Sequence, residues 1–273
     1  MQMIIEKHQE NATRKCKQDR YWMAIFLLLA IILSGSPLLR ATDEKSEGLV
    51  LIDWSHQPVG ESVQKPFPDD YFDARDGAEP KITDEKSQPP SPFGKQPALY
   101  IGSAQEVGEH PSLMLTTNPY MGTRSPQKGW GAIPFQIEEG MMTVEWGVND
   151  ATDSPAQAAS SGNTNDRIIL IKAYIQPDRK ILFQYQNEDG SLQSYFGNIP
   201  TESNRPYVLK MEWSFQNAEV EMRFYLDGEL LISDKGEDAI TRKWERSDFS
   251  INRLGFSLPS GSFLGNITIA SPE

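Results

Sequence analysis

The sequence predicts an all-β protein, a sandwich or barrel of short antiparallel strands, and three observations carry that expectation. Apolar and polar residues alternate with a period of two through most of residues 207–226. Short turn segments such as NEDG and an Asp-Gly dipeptide separate the apolar runs at hairpin spacing. Beyond residue 41 helix signals are nearly absent, which argues against a βαβ sheet.

The first element is not a strand. Residues 1–20 carry Lys7, Arg14, Lys15, Lys17 and Arg20, and residues 21–33 (YWMAIFLLLAIIL) are an unbroken apolar run. A basic segment followed by such a run is the pattern of a secretory signal. Thirteen residues fall short of the roughly 20 that span a bilayer as a helix. Residues 1–41 are therefore expected to be a signal peptide cut after Ala41, with a retained N-terminal anchor helix as the alternative. Either way the remainder is exported, to a secreted, periplasmic or cell-surface location. Cys16, the one cysteine of the chain, precedes the apolar run, so the exported part has no disulfide and no thiolate metal site. Removing six basic and three acidic residues leaves 20 bases against 35 acids. With a whole-chain net charge of −12, that balance argues against nucleic-acid binding, which needs a basic field.

Residues 49–54 (LVLIDW) open the domain as a strand. Residues 55–97 hold eight of the 19 prolines and many charges, so 42–97 is expected to be a first strand followed by a long, partly disordered surface excursion. The main body of the same domain, 98–273, begins with short strands at 98–102 and 112–116. From residue 141 alternation sets in, with Val144, Trp146 and Val148 on one face. Residues 167–175 and 180–186 form a hairpin about a turn at 176–179, and 192–196 follows the NEDG turn. In 207–216, Tyr207, Leu209, Met211, Trp213 and Phe215 share one face, with Lys210, Glu212 and Ser214 on the other. Val220, Met222, Phe224 and Leu226 alternate with Glu221, Arg223 and Tyr225, and Asp227-Gly228 marks a tight turn. Residues 251–258 and 264–270 close the chain as strands.

In that order the segments LVLIDW, KQPALYIG, EEGMMTVEWGV, ILFQYQNEDG, RPYVLKMEWSFQNAEVEMRFYLDGELL and RLGFSLPSGSFLGNITIA resemble the concanavalin A-like lectin/glucanase superfamily, and within it laminin-G-like exported bacterial domains. The resemblance spans about residues 49–271, and its most specific piece is the strand, turn and strand ending in FYLDGELL. It implies a two-sheet antiparallel jelly-roll sandwich with the first and last strands adjacent. Glucanases of that superfamily carry a Glu-x-Asp-x-x-Glu strand motif, which is absent here. Glu219 and Glu221 share a strand face, and a solvated acidic face is the preferred reading of both.

Fold alone does not give function, which has to come from a site. His56 and His110 stand outside any zinc spacing, and there is no Gly-x-Ser-x-Gly elbow. Residues 149–166 gather Asp150, Asp153, Asn163, Asn165 and Asp166, oxygen donors of the kind calcium takes. Their irregular spacing favours a plain connection over a calcium loop, so no cofactor is expected and calcium is the minority reading. Carbohydrate binding needs exposed rings beside polar groups. Trp130, between two glycines in QKGWGAIP, and Tyr120 in NPYMG are the ring candidates, placed in loops. Gln184, Arg223 and Tyr225, facing away from the core, are the polar candidates. Trp130 capping one end of the core is the competing reading. Trp54, Trp146 and Trp213 are assigned to the core. The sequence thus points to an exported, non-catalytic recognition module for a glycan or cell-surface component. A carbohydrate-active hydrolase or lyase on the same fold, or a structural envelope protein, is the alternative.

Overall fold

The computed structural model describes residues 49–63, 71–103, 110–117, 128–138, 140–148, 168–187, 191–243, 251 and 253–271. Strands β1 (Leu49–Ile52), β2 (Tyr71–Arg75), β3 (Ala78–Thr83), β4 (Ala98–Ser103), β5 (Ser112–Thr117) and β6 (Lys128–Gln136) come first. Then follow β7 (Met142–Val148), β8 (Ile168–Ile175), β9 (Ile181–Gln186), β10 (Leu192–Phe196), β11 (Tyr207–Gln216) and β12 (Glu219–Leu226). The chain closes with β13 (Glu229–Leu230), β14 (Ile240–Lys243), β15 (Arg253–Pro259), β16 (Phe263–Leu264) and β17 (Ile267–Ala270). They form two antiparallel sheets packed as a sandwich. The ten-stranded sheet runs β13-β12-β11-β6-β16-β4-β3, with β14 on β12 and with β17 joining β6 to β1; the seven-stranded sheet runs β10-β9-β8-β7-β15-β5-β2.

The core lies between the sheets, because each strand turns one alternate set of side chains inward. Phe183 of β9 stacks on Phe224 of β12 with ring centroids 3.9 Å apart, and Trp146 of β7 tilts against the same Phe224. Trp146, Trp213 and Phe224 are buried, as the alternation requires; the expected strand 49–54 ends at Ile52, and Trp54 is buried from the short 3-10 turn Trp54–His56 that follows it. The first and last strands are neighbours, with Leu49 opposite Ile269. Side chains reinforce that closure. The Trp54 backbone N–H donates to Asn266 Oδ1, its indole Nε1–H donates to the Gly265 carbonyl, and Asn266 Nδ2 donates to Asp53 Oδ1.

Turn chemistry sets the hairpins. Asp227 and Gly228 adopt φ of 51° and 84°, the left-handed pair that a two-residue turn between twisted strands demands. Asn217 and Ala218 do the same between β11 and β12, at φ of 49° and 62°. The predicted hairpin of β8 and β9 is present, closed by Arg179 N–H on the Gln176 carbonyl.

Three expectations need correction. Within 55–97 the chain is not simply an excursion: it makes β2 and β3 about an Asp76-Gly77 turn, both residues at positive φ. β2 ends the seven-stranded sheet and β3 the ten-stranded one, so this turn joins the two sheets at one side of the sandwich. Pro80 is tolerated because β3 pairs with only one full strand. Trp130 lies not in a loop but in β6, a central strand of the ten-stranded sheet. The closing run 264–270 breaks into β16 and β17 at Gly265-Asn266. That break faces Pro134 of β6, whose carbonyl accepts from Gly265 N–H. The N–H and C=O of one strand residue point the same way, so the N–H that proline lacks falls at the break, where no ladder bond is lost.

Residues 1–41, for which a signal peptide or anchor is expected, and the aspartate-rich stretch 149–166 lie outside the described residues, as does Tyr120. Among the described residues no helix is long and apolar enough to cross a membrane.

Candidate functional site

β6, β11 and β12 lie side by side, and their outer faces assemble one site. The register sets Trp130 opposite Glu212, Glu212 opposite Arg223, Lys210 opposite Tyr225, and Ser214 between Lys128 and Glu221. A groove of about 240 Å³ runs along this surface, lined by Lys128, Trp130, Glu212, Ser214, Glu221 and Arg223. A second depression of about 220 Å³ lies against Ser214, Gln216, Glu219, Glu221 and Thr241, with no aromatic wall.

Trp130 is half-buried, its ring on the outer face. The glycines beside it do not clear space around that ring, because they point to the opposite, inner face of the sheet. A Cβ on Gly129 would stand 2.1 Å from Cζ2 of Trp213, and one on Gly131 would meet Ile269 Cγ1 at 3.4 Å. Gly129 is thus the floor on which the buried Trp213 indole lies.

The polar side chains of the groove hold one another. Lys210 Nζ lies 5.6 Å from the Trp130 ring centroid and 5.2 Å from that of Tyr225, cation–π range for both. The same ammonium donates to Glu212 Oε1 at 2.5 Å, and the Tyr225 hydroxyl donates to Glu212 Oε2 at 2.7 Å. Arg223 Nη1 meets Glu221 Oε1 at 2.5 Å. Partial burial pushes the Glu212 carboxyl upward, but the hydrogen bonds from Lys210 and Tyr225 and the charges of Lys210 and Arg223 outweigh it. The group titrates below the usual carboxylate range. Burial, then the bond to Glu212, pushes the Tyr225 phenol up to about 12, so it stays a donor at any physiological pH.

Of the sequence-predicted site residues, the structure brings Trp130, Arg223 and Tyr225 onto one face. Gln184 does face away from the core, but on β9 of the other sheet, where it pairs with Lys172 and Ser194. The outer faces of a sandwich look in opposite directions, so Gln184 takes no part in this groove. Tyr120 falls outside the described residues. Glu212 and Glu221 line the groove with Trp130 and Arg223, Lys210 stands beside Trp130, and the two glutamates and the lysine were legible only as solvated strand positions. His56 is exposed, its Nε2 3.3 Å from Asp53 Oδ2, and among the described residues no group of three His, Cys, Asp or Glu side chains could hold a metal ion.

No family model matches the chain, and no curated protein matches it. Solved structures do. A protein of unknown function with a galectin-like fold from Bacillus subtilis matches at 11% identity over 77% of this chain and 92% of that one, with a TM-score of 0.44. The carbohydrate-binding module CBM66 from Bacillus subtilis matches at 11% identity over 73% and 95%, with a TM-score of 0.34. The receptor binding domain of botulinum neurotoxin type G matches at 10% identity and a TM-score of 0.35, over 76% of this chain but 42% of that one, so this chain spans less than half its length.

Proposed function

We propose that this chain is an exported, non-catalytic glycan-binding module of the concanavalin A-like kind, and that it binds through the groove on the outer face of the ten-stranded sheet. The observation that carries the reading is Trp130. A flat indole partly exposed on the outer face of a sheet, with Lys210, Glu212, Arg223 and Glu221 held around it, is what a pyranose ring requires. The sugar's C–H face covers the ring, and its hydroxyls exchange hydrogen bonds with charged groups that are already oriented. Ion pairing holds those groups in place before the ligand arrives, which lowers the ordering cost of binding. Export rests on the basic segment and apolar run of residues 1–33. A glycan array probed with the purified chain, with and without calcium, tests the reading. Retention of a defined set of oligosaccharides that Trp130→Ala abolishes supports it; retention unchanged in that variant moves the site elsewhere.

A hydrolase reading draws on Glu212 and Glu221, two carboxylates lining one groove. Both are committed to cations, and Glu212 sits on the wrong side of its ordinary range to protonate a leaving group near neutral pH.

A further inference from the structure

Of the strands that pair on one side only, β1 is four residues long, β2 carries Asp73 and Arg75, β3 carries Glu79, Pro80 and Lys81, β13 is two residues long with Glu229, and β14 carries Arg242 and Lys243. Charge, proline and shortness are the devices that keep a free strand edge from pairing. β10, the sequence LQSYF, has none of them. Its free edge can be read from the ladder. Gly197 N–H donates to the Ile181 carbonyl and Asn187 N–H to the Ser191 carbonyl, so the odd-numbered residues of this strand turn their backbone groups toward β9. The N–H and C=O of Leu192, Ser194 and Phe196 therefore point off the sheet, and no partner for them occurs among the described residues. Leu192 is 67% exposed, the highest value among the large exposed hydrophobic side chains of the described residues.

We propose that β10 is a self-association edge and that its occupant is β10 of a second copy of this chain. The strand is self-complementary about Ser194. Antiparallel pairing around a two-fold axis there sets Ser194 opposite Ser194, and Leu192 opposite Phe196 on the same outer face. Each of these pairs is of the hydrogen-bonded type, so every outward N–H and C=O of the three residues gains a partner. Copies of a chain with net charge −12 repel one another, and LQSYF allows a self-contact that sets no like charges together. A five-residue strand offers little area against the roughly 800 Å² per partner of a standard interface, so the association is reversible. The two-fold axis stands perpendicular to the joined sheet, so both copies turn their Trp130 grooves the same way. The association itself does not depend on the glycan reading.

Sedimentation equilibrium of the full chain between about 10 μM and 1 mM should show a monomer–dimer equilibrium. Ser194→Lys, which sets like charges opposite each other on the axis, should weaken it about tenfold or more. Ser194→Pro removes only an outward N–H, leaves the ladder to β9 intact, and should do the same. In a Cys16→Ser background, Ser194→Cys should form an intermolecular disulfide on mild oxidation, since hydrogen-bonded pairs bring Cα atoms to about 5.5 Å. Near-ultraviolet circular dichroism reports whether each variant is folded, and the cysteine variant supplies a positive readout if the others are not. A strict monomer at all concentrations, a dimer unmoved by the folded lysine variant, or no disulfide from Ser194→Cys overturns the proposal.

Discussion

Gly129→Ala is the substitution on which the structure speaks most sharply. The added Cβ would lie 2.1, 2.6 and 2.8 Å from three indole carbons of Trp213. Those carbons belong to a rigid bicyclic ring that is 3% exposed and wedged between the sheets, so the clash cannot be relieved by turning a flexible chain end. Either the indole leaves its rotamer or β6 moves away from the core, and overpacking of this kind costs roughly 1–3 kcal/mol or more. At the upper end, for a domain of this size, that is a fall in Tm of about 6–12 °C. Gly131→Ala is the internal control: its Cβ meets Ile269 at 3.4 Å, an ordinary contact, so it should shift stability by less than about 1 kcal/mol. Thermal unfolding followed by circular dichroism measures both. Replacing Trp213 by Leu in the Gly129→Ala background should recover part of the loss, and the double-mutant cycle should return a coupling of at least about 1 kcal/mol. Equal melting temperatures for the two alanine variants would refute the argument that Gly129 exists to seat Trp213.

Trp130→Ala should leave Tm within a few degrees while weakening glycan binding by about 1–3 kcal/mol, or roughly fivefold to a hundredfold, as measured by isothermal titration. Ala218→Gly should stabilise the chain by roughly 0.5–1 kcal/mol in urea unfolding, because an L-side chain at φ 62° pays a left-handed penalty that exceeds the extra unfolded-state entropy of glycine. The Glu212 carboxyl titrates lower in the fold than in the unfolded chain, so its contribution is fully present above the ordinary carboxylate range and is lost as pH falls through its depressed value. Glu212→Gln should accordingly flatten the stability-versus-pH curve on the acid side and leave its alkaline side unchanged. Trp54→Phe, which removes the buried indole bond to the Gly265 carbonyl, should cost about 1–3 kcal/mol in thermal unfolding.

How much of this was legible in the sequence depends on where size and polarity agree. β11 and β12 alternate cleanly because their inward positions are all large and apolar, and both strands, their shared turn and the burial of Trp213 and Phe224 follow from that. β6 was invisible for the opposite reason. Two of its inward positions, 129 and 131, are glycines, its one tryptophan points outward, and Pro134 reads as a breaker. The volume that β6 lacks is supplied at Gly129 by Trp213 from the neighbouring strand, a debt no local window can display. β2 and β3 were hidden by their charges and by Pro80, which an end strand tolerates. For the site, alternation marked Arg223, Tyr225 and Gln184 as outward-facing, but not which sheet each belonged to. That assignment needs the pairing of β6 with β11, between residues distant in sequence, and it is what separates Gln184 from the rest.

The same pairing underlies the preference for the glycan-binding proposal over a hydrolase. A glycosidase needs one carboxyl that holds its proton near neutral pH and another that does not, which calls for two different environments. In the groove each of the two carboxylates is set against a cation on its own strand, Lys210 for Glu212 and Arg223 for Glu221. Tyr225 then takes the second oxygen of Glu212, so both oxygens of that side chain are engaged before any ligand arrives. Such an arrangement fixes direction rather than reactivity. It holds Lys210 over the faces of Trp130 and Tyr225 and leaves one flat ring partly exposed among oriented polar groups, the arrangement on which the glycan-binding proposal rests.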